Sequence, residues 1–382
     1  MKLSTLTGAT CSARHTWATP VFLILVSIFL ISCGGNGSEN GGGDVAPSSL
    51  NPPVDQSQGG FQSIGSRVLN EKGNIQSAID SAGGQDIVAE YSVSAYRVEY
   101  ITQDSSNALV KVSGLIAVPN KSTPSPLLSF QHGTIFKNAD APSFHLTASE
   151  KNPEIALASL GYIVFSSDYV GYGSSFGRKH PYLQKQPSSD AVLDLLQAGK
   201  KWLDINEIQT NGQLFMTGYS QGGYVTMAAL KELQENPRSG FVATATVMGA
   251  GPYDLNAAFD KLLRGINVPS GLSNLAISLL EQFVIPSDAE VSFERTFLER
   301  FFADDHQDDV HGWRPDIPIK LIHGADDEAV PIESAESTVT AMQNLGADIE
   351  LIECTTSPAD HRNCIRPYIN YMVNYFDGLR SD

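Results

Sequence analysis

Residues 213–233 read QLFMTGYSQGGYVTMAALKEL. Gln213 to Thr217 is a short apolar run of strand character, and Gln221 to Leu233 carries helical periodicity. Between them lies Gly218-Tyr219-Ser220-Gln221-Gly222-Gly223, a serine on a strand-to-helix turn. A hydroxyl at such a sharp turn projects above the edge of a sheet, and small neighbours let adjacent backbones pass closely. The first amide of the following helix then points at whatever that oxygen attacks. A second Gly-x-Ser-x-Gly match, Gly173 to Gly177, lacks this context, because a loop separates it from its strand and Pro181 follows.

Working outward, the chain alternates strand and helix. Tyr91–Thr102 and Ala108–Val118 are β-branched and aromatic and flank an Asp-Ser-Ser-Asn turn, which predicts a hairpin. Leu127–Phe130 is a strand running into Gln131-His132-Gly133-Thr134. Asn152-Pro153 caps a helix that Gly161 closes, and Tyr162–Phe165 is the next strand. Ser188–Leu203 places Val192, Leu195, Leu196, Gly199, Trp202 and Leu203 on one helical face. Strands follow at Ala243–Met248, Ile319–Ile322 and Ile349–Ile352, with helices at Ile332–Leu345 and Ile365–Phe376. The pattern predicts an α/β fold with a mostly parallel sheet flanked by helices. Residues 255–316 break the rhythm, with amphipathic stretches near Leu255–Leu263, Leu272–Phe283 and Val291–Phe302, and read as an inserted helical cap.

A serine hydroxyl needs a base, and the base needs an orienting carboxylate. On a serine turn of this kind the order along the chain is Ser, acid, His. An acid candidate stands in His323-Gly324-Ala325-Asp326-Asp327-Glu328-Ala329-Val330-Pro331, at a strand end. Of the eight histidines only His361 follows that stretch, in a loop after Ser357-Pro358. Spacing alone leaves Asp326 and Asp327 both open.

With these residues in view, about three quarters of the chain, from Tyr96 onward, resembles the α/β-hydrolase superfamily, most closely its secretory lipase and esterase branch. The carrying motifs are Gln131-His132-Gly133-Thr134, Ser167-Asp168-Tyr169-Val170-Gly171-Tyr172-Gly173-Ser174, Gly218 to Gly223, and His323-Gly324-x-x-Asp327-x-x-Val330-Pro331. The resemblance implies the α/β-hydrolase fold, a Ser220–His361–Asp327 triad, and cleavage of carboxylic esters through an acyl-enzyme. It favours Asp327 over Asp326. It implies oxyanion donors at the backbone N–H of Gln221 and of Thr134, the latter preferred over Gly133. No metal or organic cofactor is implied. His132 is expected to pack in its turn, and Asp168 to brace the oxyanion loop from beneath. Tyr219, Phe136 and Phe144 are candidates for the pocket wall or for the core. A cap rich in Leu, Phe and Ile suits apolar acyl chains.

Four cysteines without CxxC spacing exclude a zinc ribbon or a disulfide mini-scaffold as the organising principle. Cys354 and Cys364 bracket His361, and in an exported chain they suit a disulfide pinning that loop. Export is read from the first 32 residues. Lys2 and Arg14 precede an apolar run, Val21–Ile31, that is too short to span a bilayer, where ~20 residues are needed. Leu30-Ile31-Ser32-Cys33 is similar to a bacterial lipobox, which implies lipidation of Cys33 and a membrane anchor at an outer membrane or cell surface. Residues 33–65 read as a Gly/Ser/Pro linker and 66–382 as the catalytic domain. The net charge of −17 opposes a nucleic-acid partner. Small-molecule or lipid esters remain as substrates. Competing readings are a serine peptidase of the same fold and a surface lipoprotein that only binds.

Overall fold

The computed structural model describes residues 50–381 other than 85, 238–239 and 264–284. The signal segment, the lipidation candidate Cys33, most of the linker and the cap stretch 272–283 lie outside the described residues. Nine strands form one mixed sheet: β1 (Phe61–Asn70), β2 (Val93–Gln103), β3 (Leu109–Pro119), β4 (Ser125–Gln131), β5 (Ile163–Ser167), β6 (Thr210–Tyr219), β7 (Ala243–Gly249), β8 (Ile319–His323) and β9 (Ile349–Glu353). Their spatial order is β1-β2-β3-β5-β4-β6-β7-β8-β9. The first three strands form an antiparallel meander, β3 meets β5 antiparallel, and β4 to β9 run parallel.

Side-chain alternation in the strands decides what covers each face. Leu214 and Met216 of β6 point into one core with Trp202 and Leu196 of α3 (Lys185–Ile205), Val225 and Met227 of α4 (Gln221–Glu235), and Met342 of a later helix, Glu333–Asn344. Phe215 and Tyr219 point into the other core. There they meet Ile75 and Ile79 of α1 (Lys72–Ser81), Ile155 of α2 (Pro153–Ser159), and Tyr368, Met372 and Phe376 of the C-terminal helix. Both faces of the inner parallel strands are thus buried, which is why those strands read as continuous apolar runs, while the edge strand β9 stays partly open. Trp202 is fully buried against the Tyr96 ring, with centroids 4.7 Å apart. Truncating such a side chain costs about 3–5 kcal/mol.

The hairpin turn expected between β2 and β3 is closed by Asp104, whose Oδ1 accepts from the N–H of Ser106 and of Ala108. Three expectations need correction. The linker does not extend to residue 65, because Phe61 to Asn70 is strand β1, paired with β2. Its alternation is masked by Gly65, Ser66 and a bulge between Ile64 and Arg67, so periodicity did not expose it. Asn152 sits at the N-cap position with extended backbone but makes no cap hydrogen bond. Its side chain accepts from Ser149 N–H and donates to the carbonyls of His145 and Thr147, tying down the preceding loop instead.

The third correction concerns the cap. Its described helices are α5 (Leu255–Leu263) and α6 (Thr296–Phe302), and they meet through Phe259, Phe297 and Phe301. The helix expected from Val291 begins only at Thr296. Residues 290–294 form an extended strap. The N–H groups of Glu290 and Val291 both donate to the Phe136 carbonyl, and His180 exchanges backbone hydrogen bonds with Ser292 and Glu294. Val291 and Phe293 favour an extended backbone, and these partners supply the ladder that keeps it so. The remaining helices are α7 (Glu333–Asn344) and α8 (Ile365–Asp377). No helix among the described residues is long and apolar enough to cross a membrane.

Candidate active site

Parallel strands deliver their following loops to one edge, and there the turns after β4, β6, β7, β8 and β9 converge. Ser220 stands between β6 and α4 with φ 59° and ψ −125°, a backbone that L residues rarely adopt. Two glycines make the turn possible. A Cβ at Gly222 would lie 2.0 Å from the Gln131 carbonyl oxygen, and one at Gly218 would lie 2.2 Å from the Gly222 carbonyl oxygen. Ser220 N–H donates to the Gly249 carbonyl at 2.8 Å, which fixes the turn to the neighbouring strand.

His361 Nε2 lies 2.9 Å from Ser220 Oγ, and His361 Nδ1 lies 2.6 Å from Asp327 Oδ2. The second Asp327 oxygen accepts from the N–H groups of Ala329 and Val330, at 2.9 and 2.8 Å. All three residues are buried, with Ser220 the most open at 9% exposure. Burial alone would raise the Asp327 carboxyl, but hydrogen bonding and charge attraction from His323 and His361 outweigh it and bring the group to about 2. Asp327 is therefore a carboxylate at any working pH. Its contact demands a hydrogen on His361 Nδ1, which leaves Nε2 free to accept from the serine.

The loop bearing His361 is held from several sides. Tyr219 Oη donates to the His361 carbonyl at 2.8 Å, so the residue before the serine grips the backbone of His361. Asp326 is bonded to the backbone of Ala359. Its N–H donates to the Ala359 carbonyl and its carboxylate accepts from Ala359 N–H, at 3.1 and 2.9 Å. Cys354 and Cys364 are disulfide-bonded with Cα atoms 5.8 Å apart, bracketing the same loop.

On the other side of Ser220, β4 pairs beside β6 with Gln131 opposite Gly218, so the turn at residues 132–134 passes next to the serine. A Cβ built at Gly133 would lie 3.6 Å from Ser220 Cβ. Gln221, as the first residue of α4, presents an N–H with no intrahelical acceptor at the same place. His132 stacks on Tyr169 with ring centroids 4.2 Å apart, and its Nδ1 lies 2.7 Å from the Gly133 carbonyl. Asp168 is a structural brace: its carboxylate accepts from Ser113 Oγ and Ser143 N–H, and it also interacts with the buried His132 of the turn at 132–134. The adjacent Tyr169 reaches that turn, donating from its hydroxyl to the His132 carbonyl at 3.1 Å.

Of the three pocket candidates, Tyr219 is committed to the His361 loop, and Phe144 is half exposed beneath the Arg97 guanidinium. Phe136 packs on Phe293 of the strap. Sequence reasoning missed His180, Tyr182 and the strap itself. Their partners lie tens of residues away, and no local motif marks them. Among the described residues one cluster brings metal-ligating atoms together, Asp254, Asp309 and His311. Its carboxylates are already taken by Ala257 N–H, Ser337 Oγ and Leu255 N–H, so the protein's own donors satisfy them.

Comparison with known proteins gives the same architecture. Residues 146–282 match the family described as secretory lipase. A secreted triacylglycerol lipase, LIP3, of Malassezia globosa is 24% identical, over 82% of this chain and 78% of its own. The rice cell wall degrading esterase LipA of Xanthomonas oryzae superposes with TM-score 0.67 at 20% identity, over 85% of this chain and all of that one. The fold is that of an α/β-hydrolase. A putative hydrolase of Legionella pneumophila gives TM-score 0.66 at 21% identity, covering 82% of this chain and 97% of its own. Lipase A of Candida antarctica gives 0.55 at 16%, covering 85% and 84%.

Proposed function

We propose that the protein is an exported carboxylic ester hydrolase that works through an acyl-enzyme on Ser220. The observation that carries this reading is the continuous Asp327–His361–Ser220 hydrogen-bond chain, at 2.6 and 2.9 Å, beside the first N–H of α4. Such a fold hosts many chemistries, so the site and not the architecture bears the weight.

The order of events follows from the atoms. Ser220 Oγ attacks the ester carbonyl while its proton passes to His361 Nε2. Asp327 stabilises the imidazolium that forms and holds its orientation. Negative charge gathers on the carbonyl oxygen, and the backbone N–H groups of Gln221 and Thr134 receive it. One such donor is worth about 2.7–4 kcal/mol in the transition state. His361 then protonates the departing alcohol, and a water activated by the same nitrogen releases the acid. Similarity to the secretory lipase family and to a secreted lipase supports both ester substrates and export. The lipobox-like Leu30 to Cys33 supports an acyl anchor on Cys33 that keeps the domain at a membrane.

Purified protein offered p-nitrophenyl esters and aminoacyl-anilides tests the reaction class. Ester turnover that vanishes in Ser220→Ala is expected. Faster anilide turnover would make the protein a peptidase, and no turnover of either would favour a binding lipoprotein.

A further inference from the structure

His180 lies 41 residues before Gln221 and takes no part in the proton relay, yet it is fully enclosed against the oxyanion side of the site. Its Nδ1 faces the Val170 carbonyl at 2.8 Å, and its Nε2 faces the side-chain amide nitrogen of Gln221 at 2.7 Å. A carbonyl can only accept, so Nδ1 carries the hydrogen, and Nε2 must accept from the Gln221 amide. Both ring nitrogens are thereby assigned and the tautomer is fixed. Burial holds the ring neutral, with its pKa down at about 3.

The ring is also wedged. Tyr172 and Phe293 meet it edge-on with centroids 5.0 and 5.7 Å away, and Tyr182 does so at 6.0 Å. The Tyr182 hydroxyl lies 3.1 Å from Thr134 Oγ1. The backbone of His180 is clamped too, since its N–H donates to Ser292 and its carbonyl accepts from Glu294. One histidine therefore touches the Gln221 side chain, the aromatic that reaches Thr134, and the strap that leads to the cap.

We propose that His180 is a positioning residue for the oxyanion hole: through the Gln221 side chain it fixes the direction of the Gln221 N–H, and through the strap it ties that direction to the cap. This rests on the ester-hydrolase reading and adds a residue to it. A buried glutamine side chain hydrogen-bonded at its tip restrains the torsions that join that tip to its own main chain. Donor direction matters most in the transition state, where charge sits on the oxygen, so the loss should fall on kcat and not on KM.

The test is a double-substitution cycle on the full chain, with His180→Phe, Gln221→Met and both together. It reads kcat and KM on a p-nitrophenyl ester, and Ki for a trifluoromethyl ketone whose hemiketal oxyanion occupies the same hole. Misdirecting one donor should lower kcat about 10- to 100-fold with KM within about threefold. Ki should rise by the same factor as kcat falls, and the double variant should be no worse than either single one. Additive losses, a loss confined to KM, or kcat and Ki both within twofold of the natural protein would overturn the proposal. Should His180→Phe fail to melt cooperatively, Gln221→Met decides alone: unchanged kcat and Ki reject the tether, and parallel changes support it. Absence of Ser220-dependent ester turnover in the unsubstituted protein overturns the hydrolase reading and this proposal with it. Turnover that neither variant moves overturns the proposal alone.

Discussion

The two sides of Ser220 are held by different means. On the histidine side the supports are mixed: a disulfide between residues 354 and 364 and Asp327 bonded to the amides two and three residues on are local, while Asp326 and Tyr219 reach Ala359 and His361 from 33 and 142 residues away. On the oxyanion side they come from far apart, with Gln221 answering to His180, Thr134 to Tyr182, and Phe136 and His180 to the strap at 290–294. Short loops with local donors can be preorganised by themselves. The oxyanion side has no covalent or local clamp of that kind among the contacts named, and each of them joins residues more than forty apart. The first side should therefore tolerate distant change and the second should register it.

The sharpest way to probe the histidine side is to remove its chemistry. Ser220→Ala should reduce kcat by about 10⁶-fold, as removal of a triad nucleophile does elsewhere, while leaving the melting temperature nearly unchanged. Residual turnover above a hundredth of the natural rate would mean that another group attacks. Next in size, Asp327→Asn should cost about 10⁴-fold, because the amide no longer enforces the Nδ1–H tautomer. Asp326→Asn should cost about tenfold or less, since the amide oxygen still accepts from Ala359 N–H. Steady-state rates of the two variants side by side check the assignment, and the reverse ranking would exchange their roles.

A pH experiment contrasts Asp327 with a second buried carboxyl that has fewer donors, Glu154. Asp327 has histidine and amide donors and is held at about 2. Glu154, on α2, is buried with a single side-chain donor, Ser166 Oγ, and burial raises it from 4.5 to about 7. The fold thus holds a proton on Glu154 that the unfolded chain releases near 4.5. Stability falls as pH rises from 4.5 to about 7 and levels above. Glu154→Gln should remove that slope, gaining up to about 3 kcal/mol at pH 8.5 and nothing below pH 4.5. Urea unfolding at the two pH values reads it, and parallel curves for both proteins would show the carboxyl to be solvated. For Asp327 the sign is opposite: its contribution is present above the ordinary carboxylate value of 3.8 and is lost as pH falls through about 2.

The smallest effect expected is that of reduction. Opening Cys354–Cys364 frees a short loop, worth about 2.7 kcal/mol in the chain-entropy view. Activity should drop at temperatures where circular dichroism is still unchanged, since the loosened loop carries His361. Equal activity with and without reductant would show that Tyr219 and Asp326 suffice.

This contrast also explains what the sequence disclosed. The parallel strands from Leu127 onward were legible because burial on both faces leaves apolar runs between turn residues. The Ser220 turn was legible because close packing demands glycine at 218 and 222. Strand β1 was not, since Gly65, Ser66 and its bulge hide the alternation. The extended strap was not, because Val291 to Phe302 carries an amphipathic pattern whose first residues are captured by Phe136 and His180 instead of by a helix. Asp168 was legible as a brace, but its partners Ser113 and Ser143 were not, because they lie 55 and 25 residues away. His180 could not be singled out, since nothing adjacent to it in the chain signals that a glutamine 41 residues on needs an acceptor.

The central claim is that Ser220 is the nucleophile that His361 and Asp327 activate. Stoichiometric reaction with a fluorophosphonate, followed by intact mass and peptide mapping, tests it most directly. The account predicts one phosphonyl group per chain, on the peptide carrying Ser220, with the rate collapsing in His361→Asn. A chain that stays unlabelled, or that carries the adduct on another residue, would contradict it.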